Sequence, residues 1–372
     1  MKKVLYIATS DIHLSTFHRP YIKWLSKKGC QVDIAVENRG NNTFEHVNNH
    51  YYLDFPRKLF SGSLRKSYKI LKQIIDKGDY DLIHCHTPIP SMLARLAARK
   101  ARRKGAKLLY TAHGFHFYKG APLSRWLIYY TAEYLLSKYT DGIITMNKED
   151  FSRINNKMLH KRSHYIPGMG VDKNDFFPII EKDKLNLRVK YGFNETDFII
   201  IYIAEFIPRK NHDFILSSMV ELTNKISNLK VLFAGKGDLL EEMKSKSNGL
   251  GLSNAVNFLG FRSDIPDLIR IADIGISASK HEGLPIGVLQ EMFCGLPVVV
   301  SIERGQKDLV EEGYSGFFFD QNNTNQFVEH INVLYNDSKK RIEMGENAYT
   351  KAKDFEIAKS LEAMAKIYLE YL

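Results

Sequence analysis

Ser279-Lys280-His281-Glu282-Gly283-Leu284-Pro285-Ile286-Gly287-Val288-Leu289-Gln290-Glu291-Met292-Phe293-Cys294-Gly295-Leu296-Pro297-Val298-Val299 holds a Gly/Pro turn, a helical run and the start of a β-rich run, in that order. The apolar run Ile274 to Ala278 precedes it, so the turn sits at a strand's carboxyl end. A helix opens near Ile286, with proline at its entry, and Gly295 stops it. A further strand over Pro297 to Val300 completes one βα unit of a parallel sheet. The helix amino terminus leaves unpaired backbone N–H groups and the positive end of a dipole, which suits a diphosphate. Glu282 stands just before the turn, where a carboxylate accepts hydrogen bonds from sugar hydroxyls. Gln290 lies about two turns along, within reach of a second portion of the same ligand. Taken alone, Glu-Gly-Leu-Pro is equally an ordinary βα turn with Glu282 capping the helix.

The same alternation runs outward in both directions. Lys3 to Ala8, Gln31 to Val36, Asp81 to Cys85, Lys107 to Thr111, Gly142 to Thr145 and Tyr165 to Ile166 read as buried strands. Helical patterns near 17–28, 64–76, 90–104, 122–137 and 148–157 separate them. Turn residues cluster at Pro167, Gly168, Gly170 and Pro178, and the pattern restarts with strands at Ile199 to Ala204, Lys230 to Ala234, Val256 to Leu259, Ile274 to Ala278, Pro297 to Val300 and Gly316 to Phe319. The reading is an α/β chain of two Rossmann-like domains, 1–170 and 171–352, whose sheets present their carboxyl ends to one cleft. The helical stretch 353–372 has no strand after it and is free to pack back on the first domain.

Composition narrows the class. The chain has 372 residues and a net charge of +11. Residues 1–170 carry 29 Lys+Arg against 12 Asp+Glu, and the remainder 24 against 30. So basic a half calls for a polyanionic partner: nucleic acid, an anionic membrane face or a phosphorylated substrate. The apolar runs are too short to span a bilayer or serve as a secretory signal, which places the chain in the cytoplasm. Cys30, Cys85 and Cys294 are odd in number and far apart, fitting reduced, buried thiols rather than disulfides or a metal site. Asp79-Tyr80-Asp81 precedes its strand, away from the edge where a metal sits. His84 and His86 share a strand face without a carboxylate partner, so His86 reads as a polar residue at the cleft edge. Gly235-Lys236-Gly237 lacks the third glycine of a dinucleotide fingerprint, which disfavours a dehydrogenase.

The quoted string resembles the signature of glycosyltransferase family 4, retaining enzymes of the GT-B fold, in which a Glu, a Gly-rich turn and a second Glu eight positions on precede a run ending in Gly-x-Pro-Val. Glu282 matches the first carboxylate. Gln290 stands in place of the second, with Glu291 turned ~100° away around the helix. Ala204-Glu205-Phe206-Ile207-Pro208-Arg209-Lys210-Asn211-His212 is similar to the family's phosphate-clamping turn; Lys210 matches its Lys, and Arg209 substitutes for an Arg usually found where Glu205 stands. Val256 to Asp264 resembles the base-placing segment, with Phe261 packing near the base and Arg262 reading a carbonyl edge. Tyr110-Thr111-Ala112-His113-Gly114-Phe115-His116-Phe117 is similar to the active-site His turn, and His113 matches that His. The first strand leads into Thr9-Ser10-Asp11, where many members carry a Gly-rich loop.

The resemblance implies transfer of a hexose or N-acetylhexosamine from a nucleotide diphosphate sugar, UDP-linked, with retention and without a metal or other cofactor. The acceptor it implies is a lipid-linked saccharide of capsular or exopolysaccharide synthesis. His113 and Glu282 are the expected catalytic residues. Arg209, Lys210, Phe261, Arg262, Gly283, Leu284, Pro285, Ile286 and Gln290 are expected to bind the donor, and His86 and His116 to line the acceptor side of the cleft. Arg57, Lys58, Arg65, Lys66, Lys69 and Lys72 form one basic cluster, and Arg95, Arg99, Lys100, Arg102, Arg103, Lys104 and Lys107 another. With Trp126, Leu127, Ile128, Tyr129, Tyr130 and Tyr134 they form a face suited to an anionic membrane, placing the enzyme peripherally on the inner leaflet. A UDP-sugar 2-epimerase of the same fold and, more distantly, a nucleic-acid-binding protein are the alternatives, although no nucleic-acid reading motif is visible.

Overall fold

The computed structural model of the chain describes residues 1–56 and 62–372; Arg57 and Lys58 lie outside the described residues. It divides into two compact units, Met1–Met169 with Ala358–Leu372, and Gly170–Ile357.

The first unit is built on seven parallel strands: β1 (Lys3–Ser10), β2 (Gln31–Glu37), β3 (Asn49–Tyr52), β4 (Leu82–His86), β5 (Lys107–Ala112), β6 (Gly142–Thr145) and β7 (Arg162–Tyr165), in the order β3-β2-β1-β4-β5-β6-β7. The second has six: β8 (Phe198–Ile203), β9 (Leu229–Ala234), β10 (Val256–Gly260), β11 (Ile274–Ser277), β12 (Val298–Ser301) and β13 (Gly316–Phe319), in the order β10-β9-β8-β11-β12-β13. Central strands are apolar almost throughout, as in Val4-Leu5-Tyr6-Ile7-Ala8 and Ile199-Ile200-Ile201, because helices cover both faces. Strand order reverses between β1 and β4 in the first sheet and between β8 and β11 in the second. Loops leaving those strand pairs diverge, and ligands of open α/β sheets bind in the crevice that results.

Two edge strands differ from the sequence expectation. β3, Asn-His-Tyr-Tyr, pairs with β2 but is largely exposed, so it lacks the apolar run by which the others are recognised. β7 covers Arg162–Tyr165 instead of Tyr165 to Ile166, and its polar residues reflect the same edge position. The helical pattern near 122–137 is interrupted by a π-helical turn at Trp126–Tyr130.

The helix Ile357–Tyr371 supplies part of the first unit's core. Tyr368 is fully buried, its hydroxyl bonded to those of Tyr6 and, at 2.9 Å, to His84 Nδ1. Tyr371 meets His164 Nε2 at 2.8 Å. Cys30, Cys85 and Cys294 are buried and free. No helix among the described residues is long and apolar enough to cross a membrane.

The basic and aromatic surfaces differ from the sequence expectation. Arg95 belongs to the interior: it is fully buried, bonded to Glu133 and lying 4.4 Å over the Tyr110 ring. Arg102 is committed to Asp141 through two bonds of 2.7 and 2.9 Å. Trp126, Tyr129 and Tyr130 pack against the core, whereas Leu123, Leu127 and Ile128 project into solvent.

Candidate functional site

In the second unit, β8 runs into Ala204 to Ile207 and a 3₁₀ turn at Pro208–Lys210, before the helix His212–Lys225. Gly235, just beyond β9, lets this turn approach: a Cβ there would lie 1.9 Å from the Ala204 carbonyl oxygen. Across the switch point, β11 leads to the turn Ser279 to Pro285. The turns are joined backbone to backbone, Lys280 N–H donating to the Arg209 carbonyl at 2.8 Å, while Arg209 Nη1 donates to the His281 carbonyl at 3.0 Å.

Their side chains converge on one carboxylate. Lys210 Nζ lies 2.5 Å from Glu282 Oε1, and Arg209 Nη1 lies 2.6 Å from Oε2. Glu282 is 8% exposed. Burial by itself would raise its carboxyl, but the charges of Lys210 and Arg209 prevail and pull it down to about 2. Glu282 is therefore held ionised, and the N-cap position of the following helix falls to Pro285. The helix Ile286–Phe293 is entered through Pro285, which makes no side-chain cap bond, so the positive end of the helix dipole follows directly on this turn. Gly287 allows the helix to sit close, since a Cβ would stand 2.9 Å from the Ile203 carbonyl oxygen. Two cations, an ionised carboxylate and an uncapped helix start thus meet at one strand-order reversal, with Gly283 and Leu284 completing the turn.

Glu303 is the residue that sequence reasoning missed. Its Oε2 accepts the Glu282 backbone N–H at 2.8 Å, and Oε1 accepts the N–H of Gln306 at 3.0 Å. Arg304 Nε donates to the Glu282 carbonyl at 3.0 Å. Burial pushes the Glu303 carboxyl up to about 7, against the pull of those N–H groups. The available signal was its place just after β12, neighbour of β11.

Gln290 is half-buried on the helix, while Glu291 is turned into the packing under Gly275, where burial holds its carboxyl well above the usual range. Phe261 and Arg262 leave the end of β10, two strands from β8. Phe261 is 71% exposed, with Lys236 Nζ 5.4 Å from its ring centre. Arg262 donates through Nε and Nη2 to Asp264 at 2.8 and 2.5 Å, so those two N–H positions are engaged within the protein.

In the first unit, histidines gather at the β1/β4 switch point. Thr9 and Thr87 hydroxyls meet at 2.7 Å across it, and Thr87 holds a positive φ of 64°. Ser10 caps the helix Asp11–Phe17 by accepting from His13 N–H. That helix carries His13, His18 ends it, and His113 follows β5 with Gly114 at φ 124° beside it. His113 Nε2 lies 3.4 Å from His86 Nδ1, and His18 Nε2 lies 3.4 Å from His13 Nε2. Contrary to the expectation of a cleft-edge residue, His86 is fully buried, stacked on Tyr6, because β4 is central. His116 is half-buried and stacks on Tyr129 with ring centres 4.7 Å apart.

Comparison with known proteins now bears on this arrangement. Residues 183–351 match the family pattern described as glycosyl transferases group 1, and residues 3–147 match that described as glycosyl transferase 4-like. A Bacillus subtilis (strain 168) protein named "Putative glycosyltransferase EpsD" is 39% identical over 374 residues, covering 100% of this chain and 97% of its own. This chain belongs to the family 4 glycosyltransferases. An Escherichia coli relative, UDP-Gal:alpha-D-GlcNAc-diphosphoundecaprenol alpha-1,3-galactosyltransferase, is 29% identical over 83% of this chain and 79% of its own. The crystal structure of Anabaena Alr3699/HepE with UDP and glucose superposes with a TM-score of 0.80 at 20% identity, covering 99% of each chain, which shows a shared GT-B fold. The enzyme is accordingly a glycosyltransferase, and Arg209, Lys210 and Glu282 lie within the group 1 segment.

Proposed function

We propose that this glycosyltransferase moves a hexose or N-acetylhexosamine from a UDP-sugar to a lipid-linked saccharide, with retention, in the synthesis of a capsular or extracellular polysaccharide. The observation that carries the reading is the Glu282–Arg209–Lys210 cluster beside the uncapped start of helix Ile286–Phe293. A departing diphosphate needs positive charge and oriented N–H donors, which Lys210, Arg209 and the helix start would supply. Lys210 and Arg209 take the diphosphate, Glu282 then accepts from sugar hydroxyls, Gln290 meets the ribose and Phe261 flanks the base. In the first unit His113 positions the transferred sugar, and His116, on the same turn, serves the acceptor. The lipid-linked acceptor is supported by the E. coli relative's name, which specifies a diphosphoundecaprenol substrate.

The test is a donor screen. UDP is expected to stabilise the folded enzyme, by about 2.7 kcal/mol at a hundredfold excess over its Kd. One UDP-sugar should then support transfer to a diphospholipid-linked saccharide, in EDTA, with the donor's anomeric configuration kept. Absence of stabilisation by any uridine nucleotide, or an inverted product, defeats the reading.

Membrane docking through the first unit is part of the proposal. Leu123, Leu127 and Ile128, respectively 86%, 74% and 52% exposed, are its apolar contact, flanked by basic residues including Lys119 and Arg125. Leu127→Asp with Ile128→Asp is expected to weaken sedimentation with acidic liposomes several-fold, and UDP binding should not change. Arg99→Glu with Arg103→Glu should lower only the salt-sensitive part, because exposed charges are screened within ~10 Å at 0.1 M salt. Equal sedimentation with neutral and acidic vesicles removes the electrostatic part of the docking proposal.

A further inference from the structure

Among the described residues, one group of three potential metal ligands stands out: His13, His18 and His113, whose ligand nitrogens all lie within 4.8 Å of one another. We propose that these three imidazoles form a binding site for a zinc-class divalent transition ion.

The geometry supports the assignment. Zinc–nitrogen bonds of ~2.05 Å at tetrahedral angles place two ligand nitrogens about 3.3 Å apart. The His13 Nε2 to His18 Nε2 separation is 3.4 Å. As a hydrogen bond that distance is long; as one edge of a tetrahedral ligand set it is already in place. The ligands also come from different places: His13 from the helix Asp11–Phe17 after β1 and His18 from its end, His113 from the turn after β5. They meet because those strands, with β4 between them, deliver their carboxyl ends to one edge.

Hydrogen bonding within the protein does not account for the cluster. His18 and His86 are each fully buried, yet His18 Nδ1 and His86 Nε2 have no partner. Neither is a nitrogen the ion would take: His18 Nδ1 is the ring nitrogen other than the Nε2 that faces His13, and His86 stands outside the ligand set, so the assignment rests on how the three rings meet. The imidazoles crowd one another: His18 lies 4.1 Å from His86, and His13 lies 4.7 Å from His113, between ring centres, with Tyr6 and Tyr21 beside His18. No carboxylate joins the three-histidine group. Three neutral nitrogens leave the ion its full charge and a fourth position for water or an anionic oxygen, as in a three-histidine zinc site. Imidazole ligands suit zinc, copper and nickel, and exclude magnesium and calcium, which prefer oxygen. His86, 3.4 Å from His113 Nε2 at its Nδ1, buttresses the cluster from within the sheet.

The three histidines belong to the first unit and the Glu282–Arg209–Lys210 cluster to the second, so the ion shares no ligand with that cluster. It shares His113 with the proposed sugar contact, and on that reading a bound ion competes with the sugar for this side chain.

Cobalt titration of the purified full-length chain provides the test. Co2+ is expected to bind one ion per chain with visible ligand-field bands of a four- or five-coordinate centre, and stoichiometric Zn2+ should bleach them. His13→Ala, at a half-buried position that leaves the core intact, should weaken Co2+ binding by more than the roughly 10–100-fold that loss of an outer hydrogen-bonding partner of a ligand costs. His113→Asn should do the same, whereas His160→Ala, at a histidine remote from this edge, should leave binding unchanged. An octahedral spectrum, substoichiometric binding, or a titration indifferent to His13→Ala overturns the proposal. The wild-type spectrum reports on the site independently of whether any variant folds, and none of these readouts depends on the identity of donor or acceptor.

Discussion

Glu282→Gln is expected to reduce transfer by roughly 10²–10³-fold, the scale seen when one preorganised polar contact to a developing charge is removed, while UDP binds at least as tightly as before. In the free enzyme Glu282 holds both Lys210 and Arg209, at 2.5 and 2.6 Å. On the proposed reading, a diphosphate has to draw those cations away from the carboxylate, so the Glu282 charge should oppose binding of the leaving group. Glutamine keeps the shape but removes the charge and replaces one of the two acceptor oxygens with an N–H donor, which frees the cations for phosphate. Lys210→Ala should do the opposite and weaken UDP far more than uridine. Calorimetric titration with UDP and uridine, alongside turnover, separates the two. Near-normal turnover of Glu282→Gln sinks the assignment, and equal losses for UDP and uridine in Lys210→Ala sink the phosphate clamp.

Glu133→Ala should be the most damaging change to stability, by about 3–5 kcal/mol. Arg95 is completely buried, and Glu133 meets it with both oxygens, Oε2 at 2.6 Å from Nη1 and Oε1 at 3.2 Å from Nη2, while Tyr110 donates to Oε1 at 3.3 Å. Removing the carboxylate strands a guanidinium that cannot shed its charge. Against a typical total of ~5–15 kcal/mol, that is a large fraction, and the first unit should unfold at markedly lower urea. The paired change Arg95→Met with Glu133→Leu removes both charges and should recover most of the loss. A small effect of Glu133→Ala in urea denaturation, with an unchanged slope, would show that water reaches Arg95 and that the pair is not sealed.

Recognition of the strands depended on where each lies in its sheet. Strands buried on both faces must be apolar on both, so β1, β8 and β11 announce themselves as continuous runs. β3 and β7 lie at an edge and carry polar residues, and their pairing is set by their neighbours rather than their own sequence. The turns after β8 and β11 were legible as turns for a related reason: Gly, Pro, Lys and Glu near a strand end carry meaning within a short window.

By itself the sequence determined the alternation of strand and helix, the two parallel sheets, and the residue types at the turns after β8 and β11, because propensity, periodicity and turn chemistry are local. Tertiary structure decided which charges are paired. It put Arg95 and Arg102 into internal ion pairs, turned Arg262 onto Asp264, set Glu303 behind Glu282 and closed Lys210 and Arg209 on one carboxylate. It also brought His13, His18 and His113 within one ligand shell and sent Tyr368 into the first unit's core. Most of these contacts join residues tens to hundreds of positions apart, and they are fixed by strand order and by the direction of each helix, neither of which is written in the residues that finally touch.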